Sequence, residues 1–270
     1  MSVLSAANYA AISEFLQNQA GIHLGAGKEY LVSSRLLRLM QKNSINTFDD
    51  LINGLNKNTP MGLRTQVVDA MTTNETFWFR DAGHYTALID SVLPECKGRA
   101  RIWSAAASTG QEAYSIGISI QDAQREGKLP RSLSYEIVGT DISPSALERA
   151  KEAHYTGVST GRGLTEEQRQ RYFKVDAEGI ELLPQYRQGI SFRVFNLMDS
   201  FITLGRFDVV FCRNVLIYFT KETKRNILER IAGAMNPGGY LFVGSTESMS
   251  GCEDLFEMER HGLALTYRKR

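Results

Sequence analysis

The spacing of apolar residues divides the chain into two parts. From the N-terminus to about Leu93, apolar residues recur every three or four positions, as they do along one face of a helix. Turn-forming residues at Gly25–Gly27, Asn43–Thr47 and Asn58–Pro60 separate four short predicted helices. The spacing therefore predicts a small all-helical domain and its linker over residues 1–93.

From residue 94 onward, short apolar runs alternate with helical stretches. This alternation is typical of βαβ units on a largely parallel sheet. It predicts an α/β domain with a Rossmann-like sheet over residues 94–270. The predicted strands are Ala100–Ser104, Glu136–Thr140, Phe207–Cys212, Tyr240–Gly244 and Leu263–Tyr267.

An interruption of this alternation lies between about residues 154 and 195. It contains a helix that starts with a capping box at Thr165–Gln168. Extended pieces follow around Lys174, at Ile180–Leu183 and at Ile190–Phe195. We interpret the segment as a small β-subdomain inserted into the sheet domain.

The composition indicates an ordinary globular protein of one or two domains. Of its 270 residues, 43% are hydrophobic and 23% are charged. No apolar run approaches the length of about 18 residues expected of a membrane span, and the first residues carry no export signal. We expect a cytoplasmic protein, and a monomer, since no exposed apolar stripe stands out.

Charge and cysteine content exclude some function classes. The formal net charge of +1 provides no global field for holding nucleic acid. The three cysteines are widely spaced and odd in number, which argues against a disulfide framework and fits a reducing compartment. The four histidines show no metal-ligand or triad spacing, so we expect no metal.

Candidate ligand-binding residues follow the predicted strands. In an open α/β sheet, ligands bind beyond the carboxyl ends of the strands. Small residues fill Ser104–Glu112 after the first strand, Asp141 follows the second, and Arg213–Tyr218 follows the strand at Phe207. Gly-x-Gly-x-x-Gly and Gly-x4-Gly-Lys motifs are missing, which favours an adenosine ligand without a polyphosphate.

Asp141 is the predicted ribose ligand. A carboxylate here accepts both ribose hydroxyls, and each charge-assisted hydrogen bond contributes about 1.5 to 3 kcal/mol. The alternative is an acidic residue that only stabilises the start of the next helix, which opens at Ser143-Pro144. The sequence leaves both interpretations open.

Four strings in the same order resemble the bacterial chemotaxis receptor methyltransferases, the CheR family. They are TNETFWFR at Thr73–Arg80, WSAAASTGQEAYS at Trp103–Ser115, GTDIS at Gly139–Ser143 and FCRNVLIYF at Phe211–Phe219. The resemblance covers nearly the whole chain, including the helical domain and the β insert.

The resemblance implies a cofactor and its contacts. The cofactor is S-adenosylmethionine, and the product is S-adenosylhomocysteine. The implied contacts are Asn74, Thr76, Arg80, Glu112, Asp141, Asn196, Leu197, Arg213 and Asn214.

The reaction that the resemblance implies is methyl esterification of receptor glutamates. A glutamate has an unperturbed pKa near 4.3, so it is already ionised at neutral pH and needs no general base. Alignment of the reactants can lower the barrier by roughly 7 to 11 kcal/mol. We predict that Tyr218 orients the carboxylate and that Arg80 or Arg101 balances its charge, although Tyr218 as a packing residue is an open alternative.

A surface for the receptor is predicted on the second helix. Arg35, Arg38 and Lys42 are spaced i, i+3 and i+7, so they form a basic stripe that suits the acidic cytoplasmic helical bundle of a chemotaxis receptor. The alternative is an ordinary solvated helix face. Some members of the family also tether to a receptor's C-terminal pentapeptide through the β insert, but the turn Asp176–Gly179 is short, which argues against tethering here.

Two other functions compete with receptor glutamate methylation. One is methylation of another acceptor, such as an amine, a small acid or RNA. The other is a non-catalytic protein that responds to S-adenosylmethionine. A neutral acceptor needs a general base, which the sequence does not show.

Overall fold

The computed structural model describes residues 3–96 and 98–270, which form two compact units. The helical unit comprises the chain up to Thr73 together with Tyr218–Lys224. The sheet unit comprises Asn74–Ile217 and Arg225–Arg270. The boundary predicted at residue 93 is based on apolar spacing alone, whereas the contacts assign residues 74–93 to the sheet unit.

The helical unit contains four α-helices before Thr73. Their starts are specified locally: Ser5 and Asn8 form a capping box on the first helix, and Thr47 and Asp50 form one on the third. One apolar face of each helix is buried. The helices are α1 (Ala6–Ala20), α2 (Glu29–Lys42), α3 (Phe48–Lys57) and α4 (Leu63–Met71), with fully buried residues that include Ile12, Leu16, Val32, Leu36, Leu51, Leu63 and Val67.

The sheet unit is built on a seven-stranded sheet with the order β6-β2-β1-β7-β8-β10-β9. Five strands are parallel, and β9 and β10 add an antiparallel edge. The strands are β1 (Arg99–Ala105), β2 (Ser134–Asp141), β6 (Ile190–Val194), β7 (Phe207–Cys212), β8 (Met235–Val243), β9 (Phe256–His261) and β10 (Ala264–Lys269).

Five α-helices of the described residues accompany the two sheets of this unit, and two of them start where the sequence predicts. The helix α7 has Ser143 as its N-cap and Pro144 in its first turn, and α8 has the predicted capping box of Thr165 and Gln168. Helix α5 continues into a π turn. The apolar spacing alone grouped this helix with the helical domain. The helices are α5 (Ala82–Ala87), α6 (Gln111–Arg125), α7 (Pro144–Glu152), α8 (Glu166–Tyr172) and α9 (Lys221–Ala234), of which the first four residues of α9 group with the helical unit.

Alternating strand residues build the core. Ile102, Phe211 and Phe242 pack with residues of α6, and the rings of Phe211 and Phe242 stack with centroids 4.4 Å apart. The neighbouring residue Trp103 is also fully buried and stacks on Phe207 at 5.4 Å. Each fully buried side chain of this size contributes roughly 1.5 to 3 kcal/mol relative to an exposed one.

A second, three-stranded sheet forms the insert, with the order β3-β5-β4. Its strands are β3 (His154–Tyr155), β4 (Phe173–Val175) and β5 (Ile180–Leu182). The fully buried Trp78 packs edge-on against Tyr155 and Phe173 at 5.0 and 4.9 Å.

One extended piece assigned to the insert belongs elsewhere. Ile190–Val194 is β6, which pairs in parallel with β2 in the main sheet. Its side chains Ile190 and Phe192 pack against the core that contains Ile137, and this burial draws the strand to the main sheet. Within the described residues 3–96 and 98–270, no helix is both long enough and apolar enough to cross a bilayer.

Candidate cofactor site

The switch point of the main sheet lies at β1. The chain runs from β1 outward to β2 and β6 on one side, and later to β7 and β8 on the other. At such a point, the loops that follow adjacent strands diverge and leave a crevice at the carboxyl edge. The strands around it end at Ala105, Asp141 and Cys212.

The loop after β1 carries backbone in an uncommon conformation. Ala106 and Ser108 have φ angles of 61° and 52°, in the left-handed region that few non-glycine residues adopt. Gly110 ends the loop at φ 92°, and a Cβ atom there would lie 2.9 Å from the Cβ of Ala150. A glycine is therefore required for α6 to start so close to α7.

Asp141 holds this loop in place. Its Oδ2 accepts a hydrogen bond from the Ser108 amide at 2.8 Å, and its Oδ1 accepts one from the Ser143 amide at 2.9 Å. The Ser108 hydroxyl donates to the carbonyl of Asn74 at 2.8 Å, which ties the segment before α5 to the same loop. Asp141 thus contacts both the loop and the start of α7, and it is 6% exposed.

A buried charge cluster lies after β7. Arg213 donates to Asp81 Oδ2 at 2.6 Å, to Glu112 Oε2 at 2.9 Å and to the carbonyl of Arg80 at 2.7 Å. Glu112 also accepts a hydrogen bond from Ser104 Oγ at 2.7 Å. Burial raises the pKa of Glu112, and the Arg213 guanidinium opposes that shift. The cluster links the ends of β1 and β7 to the start of α5.

Glu247 is a buried acid at this edge that the sequence analysis missed. Its carboxylate accepts hydrogen bonds from three backbone amides, those of Asn214, Leu216 and Gly244. Asp81, which pairs with Arg213, was also missed. The available signal was position, because Glu247 follows a strand closely, as Asp141 and Arg213 do.

The other predicted cofactor residues of the sheet unit lie near these loops or beside a cavity. Asn74 donates to the hydroxyl of Ser143 at 3.2 Å, and with Thr76 it lines a cavity of about 550 Å³. Asn196 follows β6 and accepts a hydrogen bond from the Met198 amide at 3.0 Å. Leu197 beside it is 8% exposed.

Arg101 does not join this group, and its predicted place at the reacting end is wrong. It is the third residue of β1, about 13 Å of strand before Ala105 at 3.3 Å per residue. Its guanidinium is held by Glu136 Oε2 at 2.8 Å and by the carbonyls of Leu204 and Arg206. These partners keep its charge at the opposite end of the strand.

Tyr218 and the basic stripe belong to the helical unit. The carbonyl of Tyr218 accepts a hydrogen bond from the His23 amide at 2.8 Å. Arg38 and Lys42 are exposed on α2, as the stripe requires. Arg35 is half-buried and donates to the carbonyls of Met71 and Thr72 at the end of α4, so it has a structural task as well.

The fold and the site define the class of protein. An open sheet with a switch-point crevice, an acid at the end of β2 and loops suited to close backbone approach can hold an adenosine-containing cofactor, and the matching family model is that of an S-adenosylmethionine-binding methyltransferase domain. Residues 7–72 match the "CheR methyltransferase, all-alpha domain", and residues 74–263 match the "CheR methyltransferase, SAM binding domain". The chain belongs to the CheR methyltransferase family.

Relatives match along nearly their whole length. Chemotaxis protein methyltransferase 1 of Pseudomonas aeruginosa is 44% identical over 275 residues, which cover 99% of this chain and 100% of the relative. Chemotaxis protein methyltransferase Cher2 of Pseudomonas putida is 43% identical, with 95% of each chain covered. The chemotaxis protein methyltransferase of Escherichia coli is 35% identical, with 94% of this chain and 89% of the relative covered.

Proposed function

We propose that this methyltransferase esterifies glutamate side chains of chemotaxis receptors. The products are glutamyl methyl esters and S-adenosylhomocysteine. The proposal is supported chiefly by the convergence of Asp141, Glu112 and Asn214 on the ends of adjacent strands in a chain of the CheR family. The enzyme acts in the cytoplasm as a monomer and without a metal.

The residues present fit the cofactor. The Ala105–Ala107 segment has small side chains, so backbone amides can approach a ligand closely. We assign acceptance of the ribose hydroxyls to Asp141 and contact with the adenine to Asn196 and Leu197. These residues lie at or just after the ends of two neighbouring strands, β2 and β6. When bound, S-adenosylmethionine supplies a methyl group on a positively charged sulfur.

The protein's contribution to the reaction is alignment. The acceptor carboxylate is ionised at neutral pH, so no side chain has to remove a proton. Arg80, whose guanidinium lies 5.4 Å from the centre of the Phe77 ring, forms no ion pair with any residue that the structure describes. We assign charge balance to Arg80 rather than Arg101, and orientation of the carboxylate to Tyr218.

The receptor is recognised through the helical unit. Arg38 and Lys42 present two exposed positive charges one turn apart on α2, which suits an acidic helical bundle. The turn Asp176–Gly179 is closed on itself, since Asp176 accepts hydrogen bonds from the amides of Glu178 and Gly179. We therefore favour a receptor interaction without a pentapeptide tether.

The decisive experiment uses cofactor labelled in the methyl group and membranes that contain chemotaxis receptors. A glutamyl methyl ester releases labelled methanol in mild base, whereas an N-methyl group does not. Base-labile label on the receptor supports the proposal. Base-stable label indicates a different acceptor, and cofactor binding without any label indicates a non-catalytic protein.

A further inference from the structure

We propose that Glu247 is a positioning residue that sets Asn214 in the conformation in which it meets the cofactor. The inference rests on the proposed function, because Asn214 is one of the proposed cofactor contacts. Glu247 lies in the turn after β8, which ends at Val243.

The carboxylate of Glu247 is fixed by backbone rather than by side chains. Its Oε2 accepts hydrogen bonds from the amides of Asn214 and Gly244, each at 2.7 Å, and its Oε1 accepts one from the amide of Leu216 at 2.8 Å. Glu247 is only 8% exposed. Hydrogen bonds to an ionised acceptor are about twice as strong as neutral ones.

These bonds constrain the turn after β7 on both sides of its strained residue. Asn214 has a φ angle of 58°, in the left-handed region. Glu247 binds the amide of Asn214 and also that of Leu216, two residues further on. Loss of either bond releases the turn toward a more common backbone conformation, which moves the Asn214 side chain.

Close packing at the end of β8 locks the same arrangement. A Cβ atom on Gly244 would lie 2.8 Å from both Asn214 Nδ2 and Glu247 Oε2. The strands β7 and β8 are paired up to Cys212 and Val243. Gly244, Asn214 and Glu247 therefore interlock where the two strands end.

The test is a double-mutant cycle on the affinity for S-adenosylhomocysteine, measured by calorimetry. Glu247→Gln replaces one acceptor oxygen by an amide group that faces a backbone N–H, and we expect the Kd to rise about tenfold. Asn214→Ala removes the contact itself. If Glu247 acts through Asn214, the double variant binds no more weakly than Asn214→Ala alone.

The matched control is Glu257→Gln, which removes the same charge from an exposed position on β9 and should leave the Kd unchanged. Independent effects of Glu247→Gln and Asn214→Ala, multiplying in the double variant, would overturn the inference. An unchanged Kd for Glu247→Gln would do so as well. If the wild-type chain does not bind S-adenosylhomocysteine, the proposed function fails instead.

A second variant covers the case in which Glu247→Gln does not fold. Gly244→Ala keeps the charge of Glu247 but places a methyl group against Asn214 and the carboxylate. It should weaken S-adenosylhomocysteine binding while the far-ultraviolet circular dichroism stays native. If both variants are unfolded, Glu247 is a determinant of the fold and the positioning role is rejected.

Discussion

Arg213 and Glu112 form an ion pair 2.9 Å long, with side chains that are 1% and 13% exposed. Arg213 directly follows β7, and Glu112 lies at the start of α6, after the loop that follows β1. The pair therefore joins two loops of the site. Asp81 is a second partner of the same guanidinium, at 2.6 Å. Water has little access to Glu112, so its carboxylate has no alternative partner as good as Arg213, whereas the Asp81 side chain is 33% exposed.

Removing Arg213 should therefore destabilise the protein strongly. Arg213→Ala leaves Glu112 and Asp81 without their cation, and the expected loss of unfolding free energy is about 3 to 5 kcal/mol. Urea unfolding followed by fluorescence measures it. Arg225→Ala, which breaks solvent-accessible ion pairs with Asp254 and Glu229, serves as the control and should cost much less. Equal losses in the two variants would contradict this account of the cluster.

Substitution of Asp141 should abolish cofactor binding. Asp141→Ala removes the proposed acceptor of two ribose hydrogen bonds, and we expect a loss of about 3 kcal/mol or more, a factor above 100 in Kd. The substitution also removes the acceptor of the Ser108 amide, so unfolding must be measured in parallel. Calorimetry with a folded variant tests the assignment. If the variant binds the cofactor with wild-type affinity, Asp141 only organises the loop after β1 and the start of α7.

Parts of the fold that depend on local chemistry could be predicted from the sequence. Ser143-Pro144 specifies a helix start through its own side chain and ring, and Phe207–Cys212 is a buried strand with the predicted bounds. The family resemblance, based on four strings, is confirmed. These features need no information about distant residues.

Parts of the fold that depend on which strands become neighbours could not be predicted from the sequence. The strand at Ile190 looked like part of the insert, since its place beside β2 is decided by tertiary packing. Likewise, the partners of Arg101, and Asn214 and Leu216 as partners of Glu247, come from segments distant in sequence. The position of Arg101 at the early end of β1 was the available signal against a role at the carboxyl edge, and it was overlooked.

Burial of His84 should make stability depend on pH. Burial, with a smaller effect of the Arg213 charge, lowers the pKa of His84 from 6.5 to about 4. In the unfolded chain this residue protonates near pH 6.5, whereas in the folded chain it stays neutral. Above about pH 6.5, His84 is neutral in both states and does not lower the free energy of unfolding. As the pH falls from 6.5 toward 4, the unfolded chain takes up a proton that the folded chain does not, so the free energy of unfolding declines.

The size of this effect can be isolated by comparison with His84→Gln. Between pH 7.5 and 5.0 the wild-type chain should lose about 2 kcal/mol more unfolding free energy than the variant, because a pKa unit corresponds to about 1.4 kcal/mol. Urea titrations at the two pH values give both differences. Parallel losses in the two proteins would mean that His84 is protonated in the folded state over this range.

Charge reversal on α2 should separate receptor recognition from cofactor binding. Arg38 and Lys42 are exposed and lie at positions i and i+4, so Arg38→Glu with Lys42→Glu presents two negative charges to an acidic bundle. We expect receptor methylation to fall at least tenfold in kcat/KM while the Kd for S-adenosylhomocysteine is unchanged. Arg35 is left intact because its hydrogen bonds to Met71 and Thr72 hold the end of α4.

A control with the same change in net charge shows whether the location matters. Lys28 and Lys57 are exposed residues of the helical unit outside the stripe, and their reversal to glutamate should affect methylation less. Raising the ionic strength should narrow the difference between the two double variants, since the screening length falls from about 10 Å at 0.1 M salt to about 3 Å at 1 M. Equal methylation by both would assign Arg38 and Lys42 to an ordinary solvated helix face.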